Sequence, residues 1–282
     1  MSKTKYKVLD LFSGIGGFSL GLERTGGFET VAFCEIEPFC QDVLRKHWAN
    51  VKCFNDIKEL TNERLQQEGI RPDVVCAGFP CQDISVAGRK EGIKGKRSGL
   101  FFEIIRLVRD IRPRYVLLEN VSNILKRGMG EVLAEFSTLR NYDVEWHCIS
   151  ASSINAPHRR DRVFIIARNN LSNPTRLRFG IRNTHRHTLQ EGKVLPSGQQ
   201  GNSLGNEVER SSSLVGEVRQ PIIKQVKRLD RWTDGHEPRV CRMAARLPDW
   251  VHRIKALGNS IVPQITEQIG NAILEYEKDI NK

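Results

Sequence analysis

The sequence predicts an α/β protein with a doubly wound, mostly parallel sheet and a small, irregular second lobe. Over the first 170 residues, short runs rich in Val, Ile, Leu and Phe alternate with segments whose apolar residues recur every three or four positions. Most of the short runs are apolar throughout, as strands buried on both faces are. Both patterns stop after about residue 170, and this loss predicts the irregular lobe.

The strand and helix segments alternate along the chain. The predicted strands are KYKVLDLF (5–12), FETVAFCE (28–35), PDVVCAGF (72–79), RYVLLENV (114–121), YDVEWHCIS (142–150) and RVFIIAR (162–168). The predicted helices are FSLGLERTG (18–26), PFCQDVLRKHW (38–48), SGLFFEIIRLVRDIRP (98–113) and MGEVLAEFSTLR (129–140). Alternation of this kind is typical of a sheet covered by helices, in which ligands bind at the carboxyl ends of the strands.

The last third of the chain has a different character. The stretch LPSGQQGNSLGNEVERSSSLVGE (195–217) is rich in Gly, Ser, Asn and Gln, which predicts loops or a flexible insert. A final helix, QITEQIGNAILEYEKDI (264–280), has an apolar stripe. The stripe consists of Ile265, Ile269, Ala272, Ile273 and Tyr276. We expect this helix to pack back on the first lobe.

The charge of the chain is concentrated in one segment. The net charge is +11, and residues 151–260 hold 20 Lys and Arg against 9 Asp and Glu. A basic lobe beside a neutral one indicates a polyanion such as nucleic acid, although a well-solvated surface gives the same composition. No apolar run is long enough for a membrane span, and MSKTKYKVLDLF has no signal-peptide core. We expect an intracellular, cytoplasmic monomer with reduced cysteines.

The ends of the first two predicted strands and the segment FNDI (54–57) carry residues suited to a nucleotide. Gly14, Gly16 and Gly17 follow the first strand, where glycines allow a tight turn against a ligand. The full dinucleotide motif GxGxxG is absent, because Ser19 occupies the last glycine position. Glu35 could accept hydrogen bonds from ribose hydroxyls, and Asp56 from an adenine amino group. Each feature is also typical of an ordinary turn or helix cap.

Cys81, in GFPCQDIS, stands where an apolar strand ends. Pro80 restricts the backbone before it, and a strand end places a thiol in the ligand crevice. Glu119 in LLENV would lie beside it if the two strands are neighbours. In HRRDRVF, strand alternation would direct Arg160 and Arg162 to one face. For the other cysteines the prediction is a buried, small apolar side chain. These are Cys34, Cys40, Cys53, Cys76, Cys148 and Cys241.

The segments DLFSGIGGF, GFPCQDIS, ENV, HRRDRVF and GNSIVP resemble, in this order, the motif series of the DNA cytosine carbon-5 methyltransferases. The resemblance covers roughly residues 6–168 and 253–277. It implies a Rossmann-like fold that depends on S-adenosyl-L-methionine. Residues 1–168 would form the catalytic and cofactor-binding domain, residues 169–250 a target-recognition region, and residues 251–282 a segment that returns to the catalytic domain.

The resemblance also implies a mechanism. The Cys81 thiolate adds to carbon 6 of a flipped cytosine, Glu119 acts on ring nitrogen 3, and carbon 5 takes the methyl group. Arg162 would contact the 2-oxo group, Arg160 would support the thiolate or a phosphate, and Asn120 would orient the Glu119 loop and the exocyclic amine. The basic, glycine-rich residues 82–99 would close over double-stranded DNA as a lid.

For the donor, the resemblance implies a set of residues drawn from both ends of the chain, and no metal. Phe12 and Ile57 would lie near the adenine with Asp56, and Glu35 would bind the ribose. The full set is Phe12, Gly14, Ile15, Gly16, Gly17, Glu35, Ile36, Asp56, Ile57, Gly78, Pro80, Asn259 and Ser260. The sequence departs from the family where Ile36 replaces an aromatic residue and His158 replaces a glutamine.

Three alternatives stay open. A cytosine methyltransferase that acts on transfer RNA would share the fold and most motifs. A DNA-binding relative without catalytic activity would have no need of Cys81, Glu119 and Arg162 together. A Rossmann dehydrogenase would require the missing glycine. The target sequence, and a role in restriction-modification, phage protection or regulation, do not follow from the chain.

Overall fold

The computed structural model describes residues 5–80, 100–156, 158–170, 222–223 and 250–280, and for Trp250 and Ile254 only the backbone. The predicted nucleophile Cys81 and the predicted lid, residues 82–99, lie outside the described residues. So does nearly all of the predicted recognition region, together with Cys241.

In the described residues, seven strands form one sheet in the order β3-β2-β1-β4-β5-β7-β6. Their bounds are β1 Tyr6–Leu11, β2 Phe28–Cys34, β3 Lys52–Phe54, β4 Val74–Gly78, β5 Tyr115–Val121, β6 Tyr142–Ser150 and β7 Asp161–Asn169. Strands β1 to β5 pair in parallel, whereas β7 is antiparallel to both β5 and β6. The mostly parallel sheet and all six predicted strands are confirmed. The short edge strand β3 was not predicted, because three residues show no period.

Helices flank the sheet on both sides. Their bounds are α1 Gly17–Arg24, α2 Pro38–His47, α3 Asn62–Gln67, α4 Leu100–Ile111, α5 Ile124–Arg127, α6 Met129–Thr138, α7 Trp250–Asn259 and α8 Pro263–Ile280. A 3-10 turn spans Ala151–Ile154. All five predicted helices are confirmed. Three further helices in the described residues were not predicted from the sequence, since each is short or continues a polar stretch: α3, α5 and α7.

Alternate residues of the strands bury against opposite helix layers. Val75 of β4 joins the core cluster that includes Ile104 of α4, whereas Val74 joins the cluster that includes Phe18 of α1 and Ile269 of α8. A sheet with a core on each face is the doubly wound arrangement that the apolar strands predict. The expected return of the last helix to the first lobe is therefore confirmed.

Helix α8 is fixed to the sheet by a buried ion pair far from the predicted site. Glu277 is 5% exposed and accepts a hydrogen bond of 3.0 Å from Nε of Arg114, and another from the Tyr115 hydroxyl. The Arg168 guanidinium lies 5.0 Å from the ring centre of Tyr276. A fully paired, buried carboxylate of this kind defines where the helix sits.

Two residues from the predicted recognition range, 169–250, pack on the sheet domain. The backbone N–H groups of Ile222 and Ile223 donate to the Glu145 carboxylate of β6 at 3.0 and 3.3 Å. Both side chains are buried in the same core cluster as α8. At least this part of the range therefore contributes to the sheet domain.

Burial is confirmed for three of the six cysteines for which it was predicted, and Cys241 lies outside the described residues. Cys34, Cys40 and Cys76 are buried and Cys53 is partly buried, but Cys148 is exposed. The prediction of a buried Cys148 is wrong: Cys148 lies on the same face of β6 as the buried Val144 and Trp146, but near the end of this edge strand, where the described residues leave that face uncovered. Among the described helices, none is both long and apolar enough to cross a membrane.

Candidate active site

The carboxyl ends of β4 and β5 lie side by side, with Gly78 paired to Glu119. Asn120 is buried and its Nδ2 donates to the carbonyl of Phe79 at 3.2 Å, while its Oδ1 accepts from the N–H of Val121 at 2.9 Å. Asn120 therefore fixes the end of β4 to β5. Glu119 lies beside the end of β4, as predicted, and this end, Gly78, stands three residues before Cys81 in the sequence.

Glu119 is paired with Arg162. Nε of Arg162 lies 2.9 Å from Oε1 of Glu119, and the Glu119 residue is 8% exposed. Burial raises the pKa of the Glu119 carboxyl above its ordinary value, although the guanidinium groups of Arg162 and Arg160 oppose the shift. A carboxyl in this position is suited to share a proton with a substrate base.

Arg160 reaches this region by a route that the sequence did not indicate. It precedes β7 and has φ 37°, so strand alternation does not set its direction. Its Nη1 donates to the carbonyl of Gly258 at 2.6 Å and its Nη2 to that of Ser260 at 2.8 Å. Arg160 thus binds the C-terminal segment, and its expected role beside the thiolate stays a prediction.

The loop after β1 is shaped by Glu35. The N–H of Gly14, at φ 54°, donates to Oε2 of Glu35 at 2.7 Å, and the N–H of Glu37 donates to Oε1 at 2.8 Å. Glu35 is buried at the end of β2, next to Ile36, which is 62% exposed. Because a carboxylate oxygen can accept more than one hydrogen bond, the group keeps capacity for a ribose hydroxyl.

Close packing requires glycine at Gly16 and Gly17. A Cβ on Gly16, which has φ 83° and caps α1, would lie 2.7 Å from the Trp48 ring. A Cβ on Gly17 would lie 2.7 Å from the carbonyl oxygen of Ile261. Trp48 and Ile261 were not predicted site residues, although Ile261 belongs to the GNSIVP segment.

The turn after β3 carries Asp56 and Ile57. Oδ1 of Asp56 accepts from the N–H of Lys58 at 3.0 Å, so Asp56 caps this turn rather than a helix. From α4, Nη2 of Arg106 donates to the carbonyls of Ile57 and Leu60 at 2.9 and 3.0 Å. Arg106 was not predicted as a site residue, because in the sequence it resembles any other polar residue of an amphipathic helix.

A second residue that the sequence analysis missed is Asp10, buried in β1. Its Oδ2 accepts from the Ser19 hydroxyl at 2.8 Å, near the N-terminus of α1. Burial raises the pKa of Asp10 to about 7, although hydrogen bonds from Ser19 and Cys76 oppose the shift. Asp10 therefore ties the sheet to the helix that follows the glycine loop.

Helix α7 completes this edge of the sheet. Nζ of Lys255 lies 3.0 Å from Oε2 of Glu37, and the His252 ring stacks on Phe39 with 5.9 Å between centroids. Asn259, the last residue of α7, is exposed, and Ser260 is partly buried. The described part of the chain contains no group of three His, Cys, Asp or Glu that could hold a metal ion.

The predicted donor residues of the first lobe lie at the carboxyl end of the sheet, in the segments that follow β1, β2, β3 and β4. The described residues place no atom within 4 Å of a Cβ built on Gly14, so there is open space beside the loop after β1. At the end of β2, the carboxylate of Glu35 is buried and the apolar side chain of Ile36 is exposed. Phe12 and Ile15 are partly buried in the same loop. An apolar wall with a few fixed polar groups is the usual form of such a site.

Comparison with known proteins gives a consistent result. The model of the C-5 cytosine-specific DNA methylase family matches residues 6–237. Type II methyltransferase M2.BsuMI of Bacillus subtilis is 39% identical over 168 residues, which is 57% of this chain and 41% of the relative. Type II methyltransferase M.HhaI of Haemophilus parahaemolyticus is 34% identical over 173 residues, 60% of this chain and 51% of the relative. The chain thus spans about half the length of these relatives, or less.

Solved structures share the fold. A protein encoded within an E. coli prophage and described as a DNA modification methyltransferase has a TM-score of 0.51 and 26% identity, covering 58% of this chain and 47% of its own. Spodoptera frugiperda DNMT2 has a TM-score of 0.50 and 24% identity over 63% of this chain and 54% of its own, a likeness of fold alone.

Proposed function

This chain belongs to the C-5 cytosine-specific DNA methylase family, and from that premise we propose that it transfers a methyl group from S-adenosyl-L-methionine to carbon 5 of cytosine in a short duplex DNA sequence. The proposal includes flipping of the target base and a covalent adduct with Cys81. The observation that carries it is the buried Glu119–Arg162 pair at the end of β5, beside the strand end that precedes Cys81 in the sequence.

Carbon 6 of cytosine is a poor electrophile, so the ring must be activated before it reacts. The Cys81 thiolate forms a bond to carbon 6, and the electron pair displaced from the ring moves toward nitrogen 3. This makes carbon 5 enamine-like and nucleophilic. Carbon 5 would take the methyl group as the sulfur–methyl bond of the donor breaks and S-adenosyl-L-homocysteine is left. A base then removes the carbon 5 proton. The sulfur–carbon bond then breaks, which restores the aromatic ring and the thiolate.

Glu119 and Arg162 assist this addition. Because burial raises the pKa of Glu119, its carboxyl can donate a proton or a hydrogen bond to nitrogen 3 as negative charge develops there. Arg162 contacts Glu119 at 2.9 Å and donates through Nη1 to the carbonyl of Asp161 at 2.9 Å, and a further N–H of its guanidinium would donate to the 2-oxo group of the same ring. Asn120 holds the two strand ends in register, so Glu119 is in place before substrate binds.

The donor pocket is formed by the ends of β1, β2 and β3 and by the C-terminal segment. Glu35 is oriented by two backbone N–H groups and would hold the ribose, and the Asp56–Ile57 turn would hold the adenine. S-adenosyl-L-methionine supplies the electrophilic methyl group. Phe12 and the glycines after β1 would line the pocket between adenine and methionine.

The DNA partner is supported by charge and by relatives. The excess of positive charge lies in residues 151–260, and neutralisation of phosphates is the main source of nucleic-acid affinity. A base inside a duplex must leave the stack to reach a buried carboxyl such as Glu119, at a cost of about a few kcal/mol. The type II methyltransferases among the relatives suggest a modification role for this chain as well.

Bisulfite sequencing tests the proposal. The chain would be expressed in a host without cytosine methylation, with Cys81→Ala as the control. We expect protected cytosines in one short sequence context, absent with the control. A soluble protein that binds S-adenosyl-L-methionine but protects no cytosine would instead favour an RNA substrate or a relative without catalytic activity, and assays on transfer RNA would separate these two.

A further inference from the structure

Arg160 joins two parts of the chain that are about a hundred residues apart. Its two terminal nitrogens donate to the carbonyls of Gly258 and Ser260 at 2.6 and 2.8 Å. These carbonyls lie on either side of Asn259, a predicted donor-pocket residue. A guanidinium suits this task because its planar fork directs two charged donors at once.

The segment that Arg160 holds covers the ends of β1 and β4. Ile261 follows Ser260, and its carbonyl oxygen lies 2.7 Å from the position of a Cβ on Gly17. Its side chain lies 3.2 Å from the position of a Cβ on Gly78. Any shift of residues 258–261 would therefore open the glycine loop and the strand end that precedes Cys81.

The backbone at Arg160 indicates that its position is enforced. It has φ 37°, which is unfavourable for a residue with a Cβ. Such a conformation persists where the surroundings hold it, and it is found mainly at functional sites. The neighbouring Arg159 is exposed, and the described residues give its side chain no hydrogen bond. Arg159 is therefore a matched control: it is the same residue type but lacks the hydrogen bonds that Arg160 makes.

We propose that Arg160 is a positioning residue that fastens residues 258–261 over the glycine loop and so completes the donor pocket. The inference rests on the proposed function, since it assigns that pocket to S-adenosyl-L-methionine. It differs from the role expected from the sequence, in which Arg160 supports the Cys81 thiolate or a phosphate. A clamp acts on donor affinity, whereas a thiolate partner acts on the pKa of the thiol.

The test compares Arg160→Ala and Arg160→Lys with Arg159→Ala in the full chain. Isothermal titration with S-adenosyl-L-homocysteine measures the donor site without turnover. We expect the affinity to fall about tenfold or more in Arg160→Ala, as loss of charge-assisted hydrogen bonds implies, and less in Arg160→Lys. Arg159→Ala should bind like the wild type. Unfolding midpoints measured without ligand show whether each variant is folded.

A second measurement separates the clamp from the thiolate partner. The pH dependence of Cys81 alkylation by iodoacetamide, followed on the Cys81 peptide by mass spectrometry, reports the pKa of the thiol. The clamp predicts the same midpoint in Arg160→Ala and the wild type.

Three outcomes would overturn the inference. If Arg160→Ala binds S-adenosyl-L-homocysteine as tightly as Arg159→Ala, the clamp is wrong, and a raised alkylation midpoint would then assign Arg160 to the thiolate. If Arg160→Ala does not fold, wild-type affinity in Arg160→Lys overturns the clamp equally. A wild-type chain that binds no S-adenosyl-L-homocysteine contradicts the proposed function itself, and the inference with it.

Discussion

Nε of Arg162 lies 2.9 Å from Oε1 of Glu119, although the two residues are not directly paired in the sheet. Glu119 of β5 is opposite Phe164 of β7, and Arg162 is opposite Val121, so the ion pair crosses the antiparallel ladder on a diagonal. Of the two described neighbours of β5, β7 is the antiparallel one, and it brings the cation of Arg162 to the carboxyl at the end of β5. This arrangement makes Glu119 a buried acid with a fixed partner.

Glu119→Gln should lower turnover by about a hundredfold or more, the usual effect of losing a general acid. Glutamine keeps the shape and a hydrogen-bond donor but cannot transfer a proton. Affinity for S-adenosyl-L-homocysteine should change by less than about twofold, since Glu119 is not a predicted donor contact. Single-turnover methylation and titration measure the two quantities, and Glu68→Gln, in the exposed ion pair with Lys52, is the control. Equal losses in both would make Glu119 structural.

Asp10→Asn should change how stability depends on pH. The pKa of Asp10 is raised from 3.8 to about 7, so the folded state holds its proton more tightly than the unfolded state. The contribution of the Asp10 proton to the stability of the fold is fully present below about pH 4. It is lost as the pH rises toward 7, by up to about 1.4 kcal/mol per pH unit. Asparagine does not titrate. The free energy of unfolding of the wild type minus that of Asp10→Asn should therefore fall between pH 5 and 7 and level off above pH 7. Urea unfolding at pH 5, 6, 7 and 8 measures it.

The matched control for this series is Asp42→Asn, because Asp42 is exposed in a surface ion pair with Arg45. The difference in unfolding free energy between this variant and the wild type should stay small and nearly constant over the same pH range, since an exposed ion pair contributes little to stability. Parallel curves for Asp10→Asn and the wild type would contradict the raised pKa of Asp10.

Arg106→Lys should weaken binding of S-adenosyl-L-homocysteine by about three- to tenfold, the range expected for losing one or two hydrogen bonds to a loop. A lysine ammonium cannot donate to the carbonyls of Ile57 and Leu60 with the fork geometry of arginine, so the Asp56–Ile57 turn loosens. Arg45→Lys on the exposed face of α2 is the control. Unchanged affinity in Arg106→Lys would show that this turn is held by other contacts.

Gly21→Ala should destabilise the fold by about 1–3 kcal/mol, although alanine favours helices. A Cβ on Gly21 of α1 would collide with Oγ1 of Thr266 and the carbonyl of Pro263 at the start of α8. Gly130→Ala in α6 is the control, because the described residues place no atom within 4 Å of the new Cβ. Chemical unfolding should show the first variant less stable and the second as stable as the wild type or more so. If Gly21→Ala were as stable as the wild type, α1 and α8 would pack less closely than these distances indicate.

Much of the fold followed from local sequence. The six longer strands and the main helices were predicted because burial imposes a period that can be read in ten or fewer residues. Glu35 and Glu119 could be named as site candidates because polar residues at the ends of buried strands meet at one edge of a parallel sheet. Asp56 was named from the segment FNDI, although the strand before it was not predicted. The short elements β3, α3 and α5 show no period, and so they were missed.

The sequence by itself determined the alternation of strands and helices, the residues at the strand ends and the family to which they belong. Only the tertiary structure decided which of those residues touch. The Arg106 hydrogen bonds to the Ile57 turn, the Arg160 clamp on Gly258 and Ser260, and the burial of Asp10 all join positions that are not neighbours in sequence. Such contacts leave no periodic trace, because they depend on how the whole chain packs rather than on the residues on either side.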